Sequence, residues 1–354
     1  MKAVKVRLCD AQLVKKKLIE TNALDTSHMP DRDSEHIYFP LAEGSEDSVV
    51  LGLESVEIVE REMPEKRVNI SLNDRLAGFL NTEELALVGR SQEVVGDIMI
   101  IEVDERLIGK EKEIASAFLE SNKQVNVVVK KSAIHSGQFR TRGVEVLAGE
   151  DRKDTTHLES GVRLYLHLEK SYFSARLGSE RLRIAKLVKK GERVLVMFSG
   201  SAPYPLVLAK HTQASKIVGI ELNPDAHAFA VKNREKNKVS SDRVELINGD
   251  VQVEVPRLIA HGEEKEGGFT KFDRVLMPLP KTSEEFLGDA LPVVRPGGMI
   301  HLYAFLNEKE IDDEGKRIVN LCEEMGFTLK LDKVVKCGQH APYTFRVCYD
   351  LIVS

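Results

Sequence analysis

Tryptophan is absent from this 354-residue chain, aromatic residues make up only 6%, and the four cysteines, Cys9, Cys322, Cys337 and Cys348, include no C-x-x-C pair. That spacing excludes a zinc knuckle, a redox dithiol and a disulfide framework, so reduced thiols and no bound metal are expected. No window approaches eighteen uninterrupted apolar residues, and Met1 to Arg7 lacks the apolar block of a signal peptide. A cytoplasmic protein without a membrane partner is the expectation. A strong excess of one charge is missing too: 51 Lys/Arg face 56 Asp/Glu, for a net charge of -5. A chain basic all over, as a non-specific polyanion binder would be, is thereby excluded.

What is present is ordinary in amount and uneven in arrangement. Hydrophobic residues at 42% and charged residues at 30% suit a globular protein with room for two or three domains. Residues 1–60 carry seven basic against twelve acidic side chains, so the rest of the chain sums to zero. Within that rest, residues 121–144 hold five basic residues and no acid, and residues 170–193 hold eight basic residues against Glu180 and Glu192. Local basic faces of this kind fit a polyanion site, and they equally fit solvated surface.

The first segment reads strand (3–9), helix (11–21), strand (36–40) and strand (55–61), a small α/β module. Glu62-Met63-Pro64-Glu65-Lys66 is charged, aperiodic and contains proline, which marks a linker. A middle segment offers a short helix, a continuous apolar run from Glu93 to Val103 that suits one buried strand, a helix over 111–121, and strands at 125–130 and 163–168. From Lys170 strands and helices alternate, which argues for a parallel sheet covered on both faces. Its strands fall at 193–197, 216–222, 244–247, 272–276 and 298–305, and two late strands at 328–335 and 343–352 are close enough to form a hairpin on the sheet edge. The expected division is 1–63, 66–168 and 169–354.

Open α/β sheets bind ligands at the carboxyl ends of their strands, and three features fall there. The first is the small-residue turn Phe198-Ser199-Gly200-Ser201-Ala202-Pro203. The second is Glu221, at the end of the second strand and about 20 residues beyond Gly200, the offset at which an acid grips vicinal ribose hydroxyls. The third is Asn248-Gly249-Asp250 after the third strand. A dinucleotide pyrophosphate wants a glycine-rich cradle, whereas this turn holds one glycine and runs into Pro203 and Pro205. S-adenosylmethionine has no phosphate and tolerates such a turn. Helix, Arg295-Pro296-Gly297-Gly298 turn, strand and terminal hairpin give residues 170–354 a resemblance to class I, Rossmann-like S-adenosylmethionine-dependent methyltransferases. The candidate cofactor residues are Phe198, Ser199, Gly200, Ala202, Pro203, Glu221, Leu222, Asp250, Val251 and Met277.

Upstream signals are more specific. Tyr172-Phe173-Ser174-Ala175-Arg176-Leu177-Gly178-Ser179-Glu180-Arg181, preceded by Phe139-Arg140-Thr141-Arg142 and Leu147-Ala148-Gly149-Glu150, resembles the archaeal and eukaryotic type of tRNA (guanine-N1)-methyltransferase acting at anticodon-loop position 37. The similarity covers nearly the whole chain. It implies tRNA as substrate, held at the anticodon stem-loop and checked at the elbow by the N-terminal module, and a monomeric enzyme. It further implies Glu180 as the base that takes the N1 proton, Arg140 as the cation at O6, and Tyr172, Arg176 and Arg181 as residues that position the flipped-out base and its phosphates. Lys130 and Lys131 are the candidate backbone contacts.

This chain departs from the family pattern at two places. Relatives end the first strand in an acid and continue Phe-Ala-Gly-Val-Gly-Pro-Phe, where Val196 and Ala202 here replace the acid and the second glycine. Relatives carry Asn-Leu-Pro or Asn-Pro-Pro after the fourth strand, where Pro278-Leu279-Pro280 stands here, so Pro278 brings no side-chain amide. Base recognition is then expected to lean on backbone carbonyls and Arg140. Two other readings fit the same residues: a relative acting at another tRNA position or on the wyosine precursor, with transfer of an aminocarboxypropyl group, and a non-catalytic tRNA-binding protein.

Overall fold

The computed structural model describes residues 1–45, 56–66, 71–89, 92–132, 143–264 and 268–354. It divides into two compact units, Met1–Ser71 and Leu72–Ser354. In the first, strands β1 (Lys2–Arg7), β2 (Asp31–Arg32), β3 (His36–Pro40) and β4 (Val56–Glu60) form an antiparallel sheet in the order β2-β3-β1-β4, with helix α1 (Ala11–Glu20) after β1. Alternation along β1 explains its central place: Val4 and Val6 pack with Val14 and Leu18 of α1, while Ala3 faces Tyr38 and Met63. The stretch 62–66, expected as a linker, is part of this unit. Met63 is buried, Met29 N–H donates to the Pro64 carbonyl, and Glu65 bridges to His28.

The second unit opens with helices α2 (Leu72–Ala77) and α3 (Thr82–Leu87), the latter started by an Asn81–Glu84 capping box. The run expected as one strand is a hairpin, β5 (Glu93–Val95) and β6 (Ile98–Ile101), because Gly96 turns the chain at φ +60°. With β7 (Val127–Lys131) and β8 (Val144–Gly149) it makes a four-stranded mixed sheet, order β5-β6-β7-β8, packed on helix α4 (Glu111–Ser121). A second hairpin, β9 (Asp154–Glu159) and β10 (Val162–His167), joins this sheet to the rest of the unit. Val162, Leu164 and Leu166 share one core with Ile98 and Val127 on one side and Leu206, Val207 and Ala230 on the other.

The remainder is a seven-stranded sheet in the order β13-β12-β11-β14-β15-β17-β16. Strands β11 (Arg193–Met197), β12 (Lys216–Glu221), β13 (Val244–Asn248), β14 (Phe272–Met277) and β15 (Val294–Asn307) are mutually parallel. β17 (Thr344–Val353) lies antiparallel between β15 and β16 (Leu329–Ala341). The late hairpin lies on the sheet edge as expected, with its second strand beside β15 and its first strand outermost. Helices α5 (Gly178–Leu187), α6 (Pro203–His211) and α7 (Pro224–Lys236) cover one face of the sheet, and α8 (Val251–Glu263), α9 (Leu287–Val293) and α10 (Ile311–Glu324) the other. Alternation along β11 shows why both faces are apolar: Val194 and Val196 pack with α5 and α6, Leu195 and Met197 with α8 to α10. Among the described residues, no helix is long and apolar enough to cross a membrane.

Candidate active site

Two adjoining sites occupy the carboxyl ends of β11, β12 and β14 and the start of α5. The first is the turn between β11 and α6. Phe198 at φ +58°, Gly200 at +57° and Ala202 at +65° place three residues of this turn in the left-handed region. Ala202 thus has the backbone conformation that glycine would adopt without strain, and its side chain is fully buried beside Leu206. The turn is held from three directions. Ser199 N–H donates to the Ile220 carbonyl, Gly200 N–H donates to Glu221 Oε2 at 2.6 Å, and Asn233 Nδ2 donates to the Ser201 carbonyl at 3.0 Å. Gly219 allows this approach, since a Cβ there would lie 3.0 Å from Ser199 Oγ.

Several polar groups in this turn are poised rather than satisfied. Ser199 Oγ and Ser201 Oγ are buried and, among the described residues, have no hydrogen-bond partner. Burial pushes the Glu221 carboxyl above its usual range, against the lowering effect of the Asn223 and Gly200 N–H groups. Asn248 Nδ2 donates to the Glu221 and Leu222 carbonyls, and Asp250 caps α8 by accepting from Gln252 N–H. Asn248 and Asp250 therefore shape the rim of the crevice. Val251 and Met277 are buried under it, and Leu222 is exposed.

The second site starts with Glu180 in the first turn of α5. Its carboxylate is 4% exposed and accepts from Arg183 Nε (2.7 Å) and Nη2 (2.8 Å) and from Tyr303 Oη (2.6 Å). The Cys337 thiol beside it is pushed far above its usual range by burial and then by the Glu180 charge. Behind Arg183 the network continues. Arg183 Nη1 donates to Asp350 Oδ2 at 2.6 Å, His301 Nδ1 lies 2.6 Å from Asp350 Oδ1, and Arg274 Nη1 lies 2.6 Å from His301 Nε2. Arginine only donates, so Nε2 is the acceptor and His301 is the neutral Nδ1–H tautomer. Burial pushes the His301 pKa down in agreement with this, while the bonds from His301 and Arg183 outweigh burial and hold Asp350 below the usual carboxylate range.

These residues form a ladder because β15 and β17 pair in register His301↔Asp350, Tyr303↔Cys348 and Phe305↔Arg346. Period-two alternation puts all six on one face. Their sequence separations hide them from local motifs. The available signal was a histidine and an aspartate each standing alone in an apolar strand.

The other expected residues divide between the site and the protein interior. Tyr172 Oη accepts from Arg346 Nη2 at 2.8 Å, and the Tyr172 carbonyl lies 3.7 Å from where a Gly200 Cβ would be, so this segment adjoins the cofactor turn. Arg176 lies in the short turn before α5. Arg181, expected on the substrate, is instead buried: Nε donates to Glu159 Oε1 at 2.6 Å and Nη2 to the Ser174 carbonyl at 3.0 Å, so it fixes the start of α5. Lys130 is also an internal residue, bonded to Glu111 at 2.8 Å and facing Glu145 at 3.1 Å, and the Glu111 bond raises its pKa. Lys131 pairs with Glu102. Lys130 is thus engaged by two carboxylates, whereas the Lys131–Glu102 pair is exposed at the surface. Arg140 lies outside the described residues. Backbone carbonyls after β14 are less available than expected: Ser283 Oγ donates to those of Met277 and Leu279, and Phe305 N–H to that of Pro280.

A seven-stranded sheet of this order, with an acid, Glu221, at the end of its second strand, defines a class I methyltransferase fold. Residues 155–330 match the TRM5/TYW2 methyltransferase domain, 72–152 the TYW2 N-terminal domain and 3–49 the tRNA methyltransferase 5 N-terminal domain. The chain is 33% identical to tRNA (guanine(37)-N(1))-methyltransferase Trm5b of Pyrococcus abyssi, covering 99% of each, and the crystal structure of that protein matches with a TM-score of 0.69 over 100% of this chain and 99% of that one. The structure of aTrm5 with tRNALeu matches at 27% identity and a TM-score of 0.77, covering 100% of both chains. The tRNA(Phe) (4-demethylwyosine(37)-C(7)) aminocarboxypropyltransferase of Pyrococcus horikoshii is 29% identical over 80% of this chain and 96% of its own. The chain belongs to the Trm5/TYW2 family of tRNA methyltransferases.

Proposed function

We propose that the protein transfers a methyl group from S-adenosylmethionine to N1 of guanosine 37 of tRNA. The observation that carries this reading is the meeting of the two sites at Gly200 and Tyr172, which sets the cofactor turn beside the segment leading to Glu180. The partnerless hydroxyls of Ser199 and Ser201 and the half-buried Glu221 carboxylate fit a neutral, hydroxyl-bearing nucleoside better than a phosphate. S-adenosylmethionine bound here supplies an electrophilic methyl. Glu221 accepts the ribose hydroxyls, and Glu180 takes the N1 proton as the carbon–nitrogen bond forms and the carbon–sulfur bond breaks. Arg183 and Tyr303 hold the Glu180 carboxylate in place. Arg140 steadies the charge on O6, Tyr172 and Arg176 position the base, and Pro278 and Pro280 line its pocket. The division at 1–63, 66–168 and 169–354 separates an elbow-checking module, an RNA-binding region and the catalytic region, in support of which three family models match successive stretches.

The test is transfer of tritiated methyl to an unmodified tRNA transcript, with the product nucleoside identified by mass spectrometry. N1-methylguanosine at position 37 is expected. Glu180→Gln should slow single-turnover transfer by about 10²–10⁴-fold while tRNA still binds; a variant within threefold of the parent excludes Glu180 as base. Similarity to the aminocarboxypropyltransferase favours one second reading, and the product mass distinguishes the two groups.

A further inference from the structure

Among the described residues, Arg346 is a charged side chain with no counter-charge. It is nine-tenths buried, and it donates a hydrogen bond from Nη2 to Tyr172 Oη at 2.8 Å. Nε is buried without any partner, and among the described residues no carboxylate forms an ion pair with it. Two other arginines also have a partnerless Nε, but Arg75 pairs with Glu120 and Arg193 lies near Asp273. The acids on the ladder face are taken: Arg183 binds both Glu180 and Asp350. Removing a guanidinium from water with one hydroxyl partner and no counter-charge is costly, and a fold that keeps one there fits an acceptor that arrives later.

The surroundings say what kind of acceptor. The Arg346 guanidinium lies 4.9 Å over the Phe305 ring, whose other neighbour is His340, stacked at 4.1 Å and 26°. Phe305 is also the residue whose N–H holds the Pro280 carbonyl, so Arg346 sits at the end of the turn after β14, beside the segment carrying Tyr172. Burial pushes the His340 pKa down, and the charges of Arg346, Lys281, Arg176 and Lys131 lower it further. The turn itself contributes Pro278, Leu279 and Pro280 and therefore no side-chain donor. Flat rings beside a planar guanidinium whose Nε–H has no partner match a nucleobase edge that carries an acceptor.

We propose that Arg346 donates to O6 of the target guanine alongside Arg140 and is a determinant of guanine specificity. This rests on the reading of the site as one that takes guanosine 37. The guanidinium brings Nε–H to a base acceptor while Nη2 keeps Tyr172 in place.

The experiment measures equilibrium binding of the full chain, with S-adenosylhomocysteine present, to two transcripts that differ only in G37 or A37. Adenine presents a donor where guanine presents O6, so the parent protein should prefer G37 by about tenfold or more. In R346A the preference should collapse to within about twofold, and R346K should retain part of it. A preference that survives in R346A overturns the proposal. So does equal weakening of both transcripts with a flatter salt dependence, which would place the guanidinium on a phosphate. Tyr172→Phe keeps the ring and removes the bond to Arg346; if it reproduces the collapse, Arg346 acts only by holding Tyr172 and the proposal fails. Equal binding of both transcripts by the parent would sink the guanosine-37 reading itself, an outcome distinct from the others. Thermal melting of R346A and R346K confirms that each is folded.

Discussion

The face of the sheet under α5 and the turn between β11 and α6 lie in one unit, yet they are built on opposite terms. Under α5, Glu180, Arg183, Asp350, His301, Arg274 and Tyr303 are charged or polar and deeply placed, and each is matched to a partner. In the turn, the charges are fewer but the mismatches are many: positive φ at Phe198 and Ala202, two partnerless hydroxyls and a half-buried acid whose pKa is raised. A satisfied buried network holds one arrangement and resists change, whereas unmet donors and backbone strain persist only where something else repays them. The first region reads as the rigid support of a base, the second as a receptor waiting for its ligand.

The largest effect should come from breaking the matched region. Arg183→Ala leaves the Glu180 and Asp350 carboxylates buried without their shared cation, which should cost about 3–5 kcal/mol of unfolding free energy in a urea titration. A cost below about 1 kcal/mol would mean that water relieves both acids and that the network is not rigid. The pH dependence has a definite sign. Asp350 is depressed in the fold, so its contribution is present above its unfolded value near 4 and is lost as pH falls through the folded value. His301 is also depressed; its stabilisation is complete above about 6.5 and declines as pH drops below that. Stability should therefore fall from about pH 7 to 5, and His301→Gln should make that slope shallower.

The unmatched region should answer to ligand instead. Glu221→Gln should weaken S-adenosylhomocysteine by about ten- to hundredfold in calorimetric titration, the worth of hydrogen bonds to a charged acceptor, with little change in stability. Because the Glu221 pKa is raised, the parent protein should lose affinity on acidification earlier than an ordinary carboxylate would allow, and the variant should show no such loss. The raised carboxyl itself costs stability as pH rises from its unfolded to its folded value, so ligand and stability should shift in opposite directions with pH. Equal affinity in parent and variant would remove Glu221 from the cofactor site and the contrast with it.

Legibility in the sequence divides along the same line. The strands of the parallel sheet announce themselves as apolar runs, and Glu221, Gly200 and Ala202 are visible because local spacing fixes a turn. The Glu180 string is visible because its residues are contiguous. The ladder is not: His301 and Asp350 meet only through the register of β15 with β17, a strand inserted where chain order does not place it. Lys130 and Arg181 looked like open cations because charge is legible and pairing is not; Glu111 and Glu159 are far away in sequence and adjacent in space. Gly96 shows the converse. One glycine inside an apolar run was the signal of a hairpin, and its left-handed conformation split the expected strand.

The smallest effect is the most informative about strain. Ala202→Gly would relieve a left-handed alanine, worth about 1–2 kcal/mol. It would also delete a methyl buried against Leu206 and Val207, costing about 0.8 kcal/mol, and would loosen the unfolded chain by about 0.4–1 kcal/mol. These terms nearly cancel, so the denaturation midpoint should stay within about 0.5 kcal/mol of the parent and cofactor affinity within about threefold. Stabilisation by more than about 1 kcal/mol would show that the methyl contributes little packing and that the turn holds strain for its ligand alone. A fall in affinity beyond tenfold at unchanged stability would show the opposite: the alanine, by restricting the turn, preorganises it, and what looks like a defect against a glycine is part of how the crevice is shaped.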